Sequence, residues 1–120
     1  MSFDWREFLA LAKALQQSPH TAYSTETAQR CAVSRAYYSA FCYVRNYAKA
    51  HLGFQPQVSA DDHKNLRELL RKHNPGMATQ LDSLRQWRNT CDYDDVVRGN
   101  LTSLVPQAII IAETLINAFP

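Results

Sequence analysis

The chain has 120 residues, of which 46% are hydrophobic and 20% charged, and its formal net charge is +2. This is the length of one ordinary domain, so residues 1–120 are expected to share a single core, without a separate cofactor-binding domain. The composition excludes a disordered chain, no uncharged run is long enough for a membrane span, and three glycines are too few for a Gly-rich nucleotide-binding loop.

The N-terminus and the cysteines bear on the cellular compartment. Charged residues interrupt the first turns of the sequence, where a signal peptide needs an apolar run, so we expect a cytoplasmic protein that does not associate with a membrane.

Three cysteines without a C-x-x-C pair indicate neither a disulfide framework nor a zinc site. We expect all three, Cys31, Cys42 and Cys91, to be buried thiols.

Hydrophobic residues recur at helical spacing along the whole chain and no alternating strand pattern is present, which predicts an all-α protein. The first helix is capped by Ser2 and ends before a polar loop that begins at residues 18–20. The second helix covers residues 25–52, contains neither Gly nor Pro, and ends at Gly53.

The second helix has two apolar faces, one with large side chains and one with alanines only. The alanines are spaced four residues apart and form a ridge, which consists of Ala28, Ala32, Ala36 and Ala40. Such small side chains allow a neighbouring helix to come close. The sequence leaves open whether that neighbour belongs to the same fold or to a second subunit.

Three further helices follow. Ser59 and Asp62 have the spacing of a capping box and predict the start of the third helix. Asn74 is predicted to cap the fourth helix and Asn100 the fifth, which is expected to bend or restart near Pro106. Five helices joined by short loops predict an up-and-down antiparallel bundle.

The histidines do not predict a metal site, because no two of them have the i, i+4 spacing of helical zinc ligands. Asp61 and Asp62, just before His63, stand at a predicted helix start, where acidic residues usually complement the helix dipole. No metal and no other cofactor is therefore predicted.

Arg88 interrupts the apolar strip of the fourth helix. On a helical wheel it lies about 40° from Leu84, so a cation is expected among hydrophobic side chains. An unpaired buried charge is costly, which means that Arg88 needs a partner. That partner is Asp92 one turn later, a carboxylate from elsewhere, or the anion of a ligand such as a phosphate, and the sequence does not choose among them.

Aromatic residues adjoin an arginine in the segment AVSRAYYSAF, residues 32–41. Arginine and aromatic side chains together can stack on a base and clamp a phosphate. Tyr37 lies on the main apolar face and is interpreted as a core residue whose hydroxyl bonds to a neighbour. Arg35 and Tyr38 point away from that face and are candidates for contact with a ligand or a partner subunit.

Two segments together resemble the HEPN domain family, small helical bundles often encoded beside minimal nucleotidyltransferases. They are SRAYYSAF (residues 34–41) and RQWRNTCDYD (residues 85–94), and the resemblance extends over about residues 25–95. It implies a homodimer in which the Arg-Asn segments of two protomers share a cleft. Family members with an Arg, four to six residues and then a His are metal-independent RNases, many of them toxins restrained by the nucleotidyltransferase.

This sequence departs from that motif. Arg88 and Asn89 match its beginning, but the window that should hold the histidine contains Tyr93 and no histidine. A base that activates the RNA 2′-hydroxyl should titrate near neutrality, as imidazole does and phenol does not. Asp92 could replace it, with Arg88 stabilising the developing charge, although a carboxylate also repels phosphate. Tyr93 lies about 140° from Arg88 on a straight helix, so the two converge only where the helix ends or across a dimer.

Three hypotheses follow. The first is a homodimeric HEPN-like domain that binds RNA or a nucleotide and acts with a nucleotidyltransferase partner in a toxin–antitoxin-type system. Its catalytic candidates are Arg88, Asp92 and Tyr93, and its binding candidates are Arg88, Asn89, Arg35 and Tyr38. The second is a non-catalytic interaction or antitoxin-like module, in which Arg88 is an internal tie and the alanine ridge binds the partner. The third is an active RNase with Asp92 as the base.

Overall fold

The computed structural model describes residues 2–17 and 21–120 and contains five helices. These are α1 (Arg6–Gln17), α2 (Thr25–His51), α3 (Asp61–His73), α4 (Pro75–Tyr93) and α5 (Leu101–Asn117). The described residues contain no β-strand. The prediction of an all-α protein with about five helices is therefore confirmed, while the start of the loop predicted at residues 18–20 lies outside the described residues.

Both predicted asparagine caps are confirmed. The Asn74 side-chain oxygen accepts a hydrogen bond from the backbone N–H of Met77 at 3.2 Å, and that of Asn100 accepts one from Thr102 at 2.9 Å. Each bond satisfies an N–H that the first turn of a helix leaves free. Pro106 lies inside α5, which runs through it as one helix instead of starting afresh there.

The start of α3 differs from the prediction. The capping box of Ser59 and Asp62 does not form, and α3 begins without a side-chain cap. The Asp62 carboxylate is buried and accepts hydrogen bonds from the backbone N–H groups of Gln57 and Val58, at 2.8 and 3.0 Å. It therefore holds the preceding loop against the helix, because its charge-assisted hydrogen bonds satisfy two N–H groups of that loop.

The longest helix, α2, packs against α1, α4 and α5, whereas α3 packs mainly against α4. All four alanines of the ridge are buried within the chain. Of the two arrangements that the sequence left open, the structure therefore shows the one inside the fold. The ridge is covered, so it cannot be the partner-binding surface of the second hypothesis.

The cysteines do not all behave as predicted. Cys42 and Cys91 are buried, and burial raises the pKa of both thiols, that of Cys91 to about 11. Cys31 is exposed, because it lies one turn after the exposed Thr27 on the same solvent-facing side of α2. Across the described ranges, none of the helices combines the length and the apolar character needed to cross a bilayer.

Candidate functional site

Arg88 is buried in the apolar strip of α4, only 8% exposed, as the helical wheel predicts. Leu81 and Leu84 precede it and Cys91 follows it on the same strip, and all three are buried. A guanidinium in such surroundings has lost most of its hydration, so its remaining contacts decide whether its charge is compensated.

Three tyrosine rings enclose the Arg88 guanidinium. Its central carbon lies 5.5 Å from the ring centroid of Tyr37, 5.2 Å from that of Tyr38 and 5.8 Å from that of Tyr93. A cation is attracted to the face of an aromatic ring at such distances. Tyr93 reaches Arg88 because α4 ends at this residue, which was one of the two conditions for their convergence.

A chain of polar contacts connects Arg88 to Arg35. The nearest Arg88 nitrogen lies 3.6 Å from Asp92, which is close enough for an ion pair but too long for a hydrogen bond. Asp92 accepts a hydrogen bond from the Ser34 hydroxyl, which in turn accepts one from Arg35, both at 3.2 Å. The internal Arg88–Asp92 pair is therefore present, but the buried Nε of Arg88 has no hydrogen-bond partner among the described residues.

The Arg35 and Asn89 side chains occupy different surroundings. The Arg35 guanidinium lies 4.8 Å from the ring centroid of Phe8 and 5.3 Å from that of Tyr38, so Tyr38 contacts the guanidiniums of both Arg35 and Arg88. Asn89 is half-buried and its side chain makes no hydrogen bond with any described residue. The structure thus groups five of the six candidate residues: Arg35, Tyr38, Arg88, Asp92 and Tyr93.

A histidine that the sequence analysis did not select borders the same cluster. The Tyr37 hydroxyl is hydrogen-bonded to Nδ1 of His63, and the imidazole stacks on Phe41 with the ring centroids 4.1 Å apart and the planes at 8°. The Tyr37 side chain is buried and Nδ1 is the only hydrogen-bond partner of its hydroxyl among the described residues, so we assign the phenol as the donor and Nδ1 as the acceptor. Burial also raises the pKa of Tyr37, which keeps the phenol protonated. Burial, and then the positive charges of Arg88, Arg67 and Arg85, lower the pKa of His63, which leaves the imidazole neutral at pH 7.

Two more arginines complete the cationic surroundings, from α3 and α4. Arg67 and Arg85 share one carboxylate, since Asp82 lies 3.2 Å from the first and 3.1 Å from the second. Nη1 of Arg67 is buried and has no hydrogen-bond partner within the described ranges. With Arg88, three guanidiniums form ion pairs with two carboxylates among the described residues, Asp82 and Asp92.

His63 and Arg67 were missed for a recognisable reason. They are one turn apart on α3, where His63 was considered only as a metal ligand and Arg67 was not considered. The available signal was a histidine and an arginine four residues apart on a face that also carries leucines, which places their polar atoms beside the core.

Arg30 is a second omission, and its role is structural. Its guanidinium donates hydrogen bonds to the backbone oxygens of Cys91, Asp94 and Asp95, at 3.1, 2.6 and 3.0 Å. These are carbonyls at and beyond the C-terminal turn of α4, which have no helical partner of their own. Arg30 therefore fixes the end of α4 from which Asp92 and Tyr93 reach the site.

Two surface grooves border Asp92. One, of about 360 Å³, is lined largely by apolar side chains of α1 and α2, such as Leu11 and Leu15, and reaches Ser34 and Arg35. The other, of about 540 Å³, is polar and runs along the end of α4 past Tyr93. Asp92 thus stands between an apolar surface and a polar one, both open to a ligand.

No arrangement for a metal ion is found in the part of the chain that the structure describes, where no three His, Cys, Asp or Glu side chains converge suitably. Asp62, the acid next to His63, is occupied by the two loop N–H groups. The chemistry available at the site is that of guanidinium, imidazole, phenol and carboxylate groups.

Comparison of the chain with protein-family models, with curated proteins and with solved structures finds no match in any of the three. The resemblance to the HEPN family therefore depends on the two sequence segments alone.

Proposed function

We propose that this chain is a HEPN-like domain, with up-and-down antiparallel topology, that binds RNA or a nucleotide through a phosphate at Arg88. Following the resemblance, it acts in the cytoplasm as a homodimer with a minimal nucleotidyltransferase partner, in a toxin–antitoxin-type system. The proposed activity of the Arg88 site is binding of the phosphate. Cleavage is a separate outcome that the experiment below also measures.

The observation that carries the proposal is the incomplete pairing of Arg88. Its Nε has no hydrogen-bond partner among the described residues, and its contact with Asp92 at 3.6 Å is too long to be a hydrogen bond. Leaving a buried donor of a charged group unpaired costs about 1–3 kcal/mol or more, so an anion that bonds to it gains this free energy. A phosphate fits because guanidinium binds its oxygens with two parallel hydrogen bonds.

Access to Arg88 requires one tyrosine ring to move. Tyr93 is 75% exposed and ends α4, whereas Tyr37 is completely buried and Tyr38 half-buried. We expect Tyr93 to swing aside and then stack on a base, since an aromatic ring stacks on any base and contributes about 1–3 kcal/mol. The apolar groove beside Arg35 offers a second surface for the base or ribose.

The test measures binding of a short oligouridylate, by fluorescence anisotropy, to the wild type and to two variants. Arg88→Ala removes a charge-assisted contact worth about 1.5–3 kcal/mol, so affinity should fall by about 10- to 100-fold. Arg98→Ala removes the same charge from an exposed loop residue and should change affinity by about twofold or less. Equal affinity of the Arg88→Ala variant and the wild type, with far-UV circular dichroism unchanged, contradicts the proposal.

The same reagents test cleavage. Incubation with a mixed RNA pool in the presence of a chelator should leave the RNA intact if the domain only binds. Degradation that disappears in both Arg88→Ala and Asp92→Asn would instead establish the third hypothesis, an RNase in which Asp92 acts as the base.

The second candidate, a non-catalytic interaction or antitoxin-like module, is favoured by the Arg88–Asp92 ion pair. With the alanine ridge covered, its partner must bind elsewhere on the surface. In this case Arg88→Ala and Arg88→Met both lower stability, because each leaves Asp92 without its ion-pair partner, and neither affects the binding of a ligand. Thermal unfolding of both variants with and without oligouridylate separates the two candidates.

A further inference from the structure

Tyr37 contacts both the imidazole of His63 and the guanidinium of Arg88. The guanidinium lies 5.5 Å from the Tyr37 ring centroid, and the hydroxyl of the same ring binds His63. Tyr38 repeats this arrangement, with its ring 5.2 Å from the Arg88 guanidinium and its centroid 6.4 Å from that of His63. His63 thus belongs to the same cluster as Arg88 although it comes from α3.

The hydrogen bond from Tyr37 determines which nitrogen of His63 is free. Because the hydroxyl donates to Nδ1, the neutral imidazole carries its proton on Nε2. Nε2 makes no hydrogen bond with any described residue. His63 therefore offers one unused N–H donor, held in place by the Tyr37 bond at one edge and by the stacked Phe41 ring on its face.

The groups around His63 make the imidazole sensitive to an added anion. On α2 the imidazole faces two phenols and the Phe41 ring. The charged groups around it are one carboxylate and one guanidinium on α3 and two guanidiniums on α4. The titratable and charged members of this set are Tyr37, Tyr38, Asp62, Arg67, Arg85 and Arg88. Burial and then the charges of Arg88, Arg67 and Arg85 oppose protonation of His63, although Asp62 favours it and Asp82 and Asp92 form ion pairs with the three arginines. The negative charge of a bound phosphate reverses part of that opposition.

We propose that His63 is a further phosphate-contacting residue of the Arg88 site, and that the site takes up a proton on His63 when the phosphate binds. This inference rests on the proposed function. The Nε2–H of His63 donates to a phosphate oxygen. A proton from solvent binds to Nδ1, which then donates to the Tyr37 oxygen, so that the imidazolium and the guanidinium share one anion.

Proton uptake determines how affinity depends on pH. In the free protein the pKa of His63 lies below its ordinary value of 6.5, and in the complex it is raised. Affinity therefore increases as the pH falls through the pKa of the complex and becomes constant below the pKa of the free protein. Between those limits the total change in affinity is tenfold for each unit that binding adds to the pKa.

The experiment follows the imidazole C–H resonances by NMR across about pH 5 to 8, with and without a 2′-O-methyl oligouridylate. This probe cannot be cleaved by attack of its own 2′-oxygen, and neither its phosphodiesters nor its uracils titrate in that range. We expect saturation to raise the midpoint of the His63 resonance by about one unit, with a parallel tenfold change in affinity. The resonances of His51 and His73, which are exposed, serve as internal controls.

His63→Gln provides the matched variant, because it keeps an N–H donor but does not titrate. It should bind the oligouridylate with an affinity that no longer rises at low pH. Binding by the wild type with an unchanged His63 midpoint, or a pH dependence that persists in His63→Gln, overturns this inference alone. Absence of binding at every pH also overturns the proposed function. If His63→Gln fails to fold, the midpoint of the His63 resonance in the wild type, with and without the oligouridylate, still tests the inference.

Discussion

The two sides of the Arg88 guanidinium are built differently. On the buried side, Tyr37, Phe41 and His63 come from α2 and α3 and interlock through ring stacking and one hydrogen bond. On the open side, Asp92 and Tyr93 come from α4 itself and stay in contact with solvent. The buried side holds the cation and the His63 imidazole in place, and the open side leaves Asp92 and Tyr93 exposed to solvent.

The two sides also differ in how far apart in sequence their residues lie. Asp92 and Tyr93 follow Arg88 by four and five residues, so helical spacing alone brings them close. His63 lies 25 residues before Arg88 and meets it only because α3 and α4 pack together with α2. A residue of this kind is found only from the tertiary structure, whereas the residues of the open side can be found by counting along one helix.

The largest expected effect comes from emptying the buried side. Tyr37→Ala removes a fully buried aromatic ring, so we expect the free energy of unfolding to fall by about 3–5 kcal/mol in urea denaturation. Tyr37→Phe retains the ring and leaves Nδ1 of His63 unbonded, with an expected loss of about 1–3 kcal/mol. Similar losses in both variants would mean that the hydrogen bond, and not ring packing, holds this side together.

The next effect concerns the support of the open side. Arg30→Ala breaks three hydrogen bonds to carbonyls at the end of α4, and we expect a loss of about 1–3 kcal/mol in unfolding free energy. Amide hydrogen exchange should accelerate around Asp94 and Asp95 while the centre of α2 keeps its protection. Arg45→Ala is the control, because Arg45 lies on the same helix and its side chain donates hydrogen bonds only to the neighbouring Asn46 among the described residues. Uniform acceleration along the chain would contradict a local role for Arg30.

The sequence was sufficient to predict five helices, the caps of α4 and α5, and the grouping of Asp92 and Tyr93 with Arg88. Periodicity and caps such as Asn74 and Asn100 are local properties, and these predictions are confirmed. Asp62 was assigned wrongly because its carboxylate serves loop N–H groups whose positions depend on the whole fold. Arg30 was missed for a similar reason, since the carbonyls that it binds belong to residues more than sixty positions away.

A smaller effect should appear in the pH dependence of stability. The pKa of His63 is lower in the folded protein than its ordinary value of 6.5, mainly through burial, so unfolding is accompanied by proton uptake in this range. The stability contribution of neutral His63 is complete above about pH 6.5, and it is lost as the pH falls towards the folded pKa. His63→Gln should therefore lose less stability than the wild type between about pH 6.5 and 5 in urea denaturation. Parallel curves of unfolding free energy against pH for the two proteins would show that the pKa of His63 is the same in the folded and the unfolded state.

The smallest effect on stability should accompany a clear effect on binding, at Tyr93. Its ring is 75% exposed, so Tyr93→Ala should change the unfolding free energy by no more than about 0.5 kcal/mol. If the ring moves from Arg88 to stack on a base, the same variant should lose about 5- to 100-fold in oligouridylate affinity. Tyr93→Phe should bind like the wild type, because stacking does not need the hydroxyl. If Tyr93→Ala bound more tightly, the ring would be a lid that competes with the ligand, and the open side would obstruct the cation instead of presenting it.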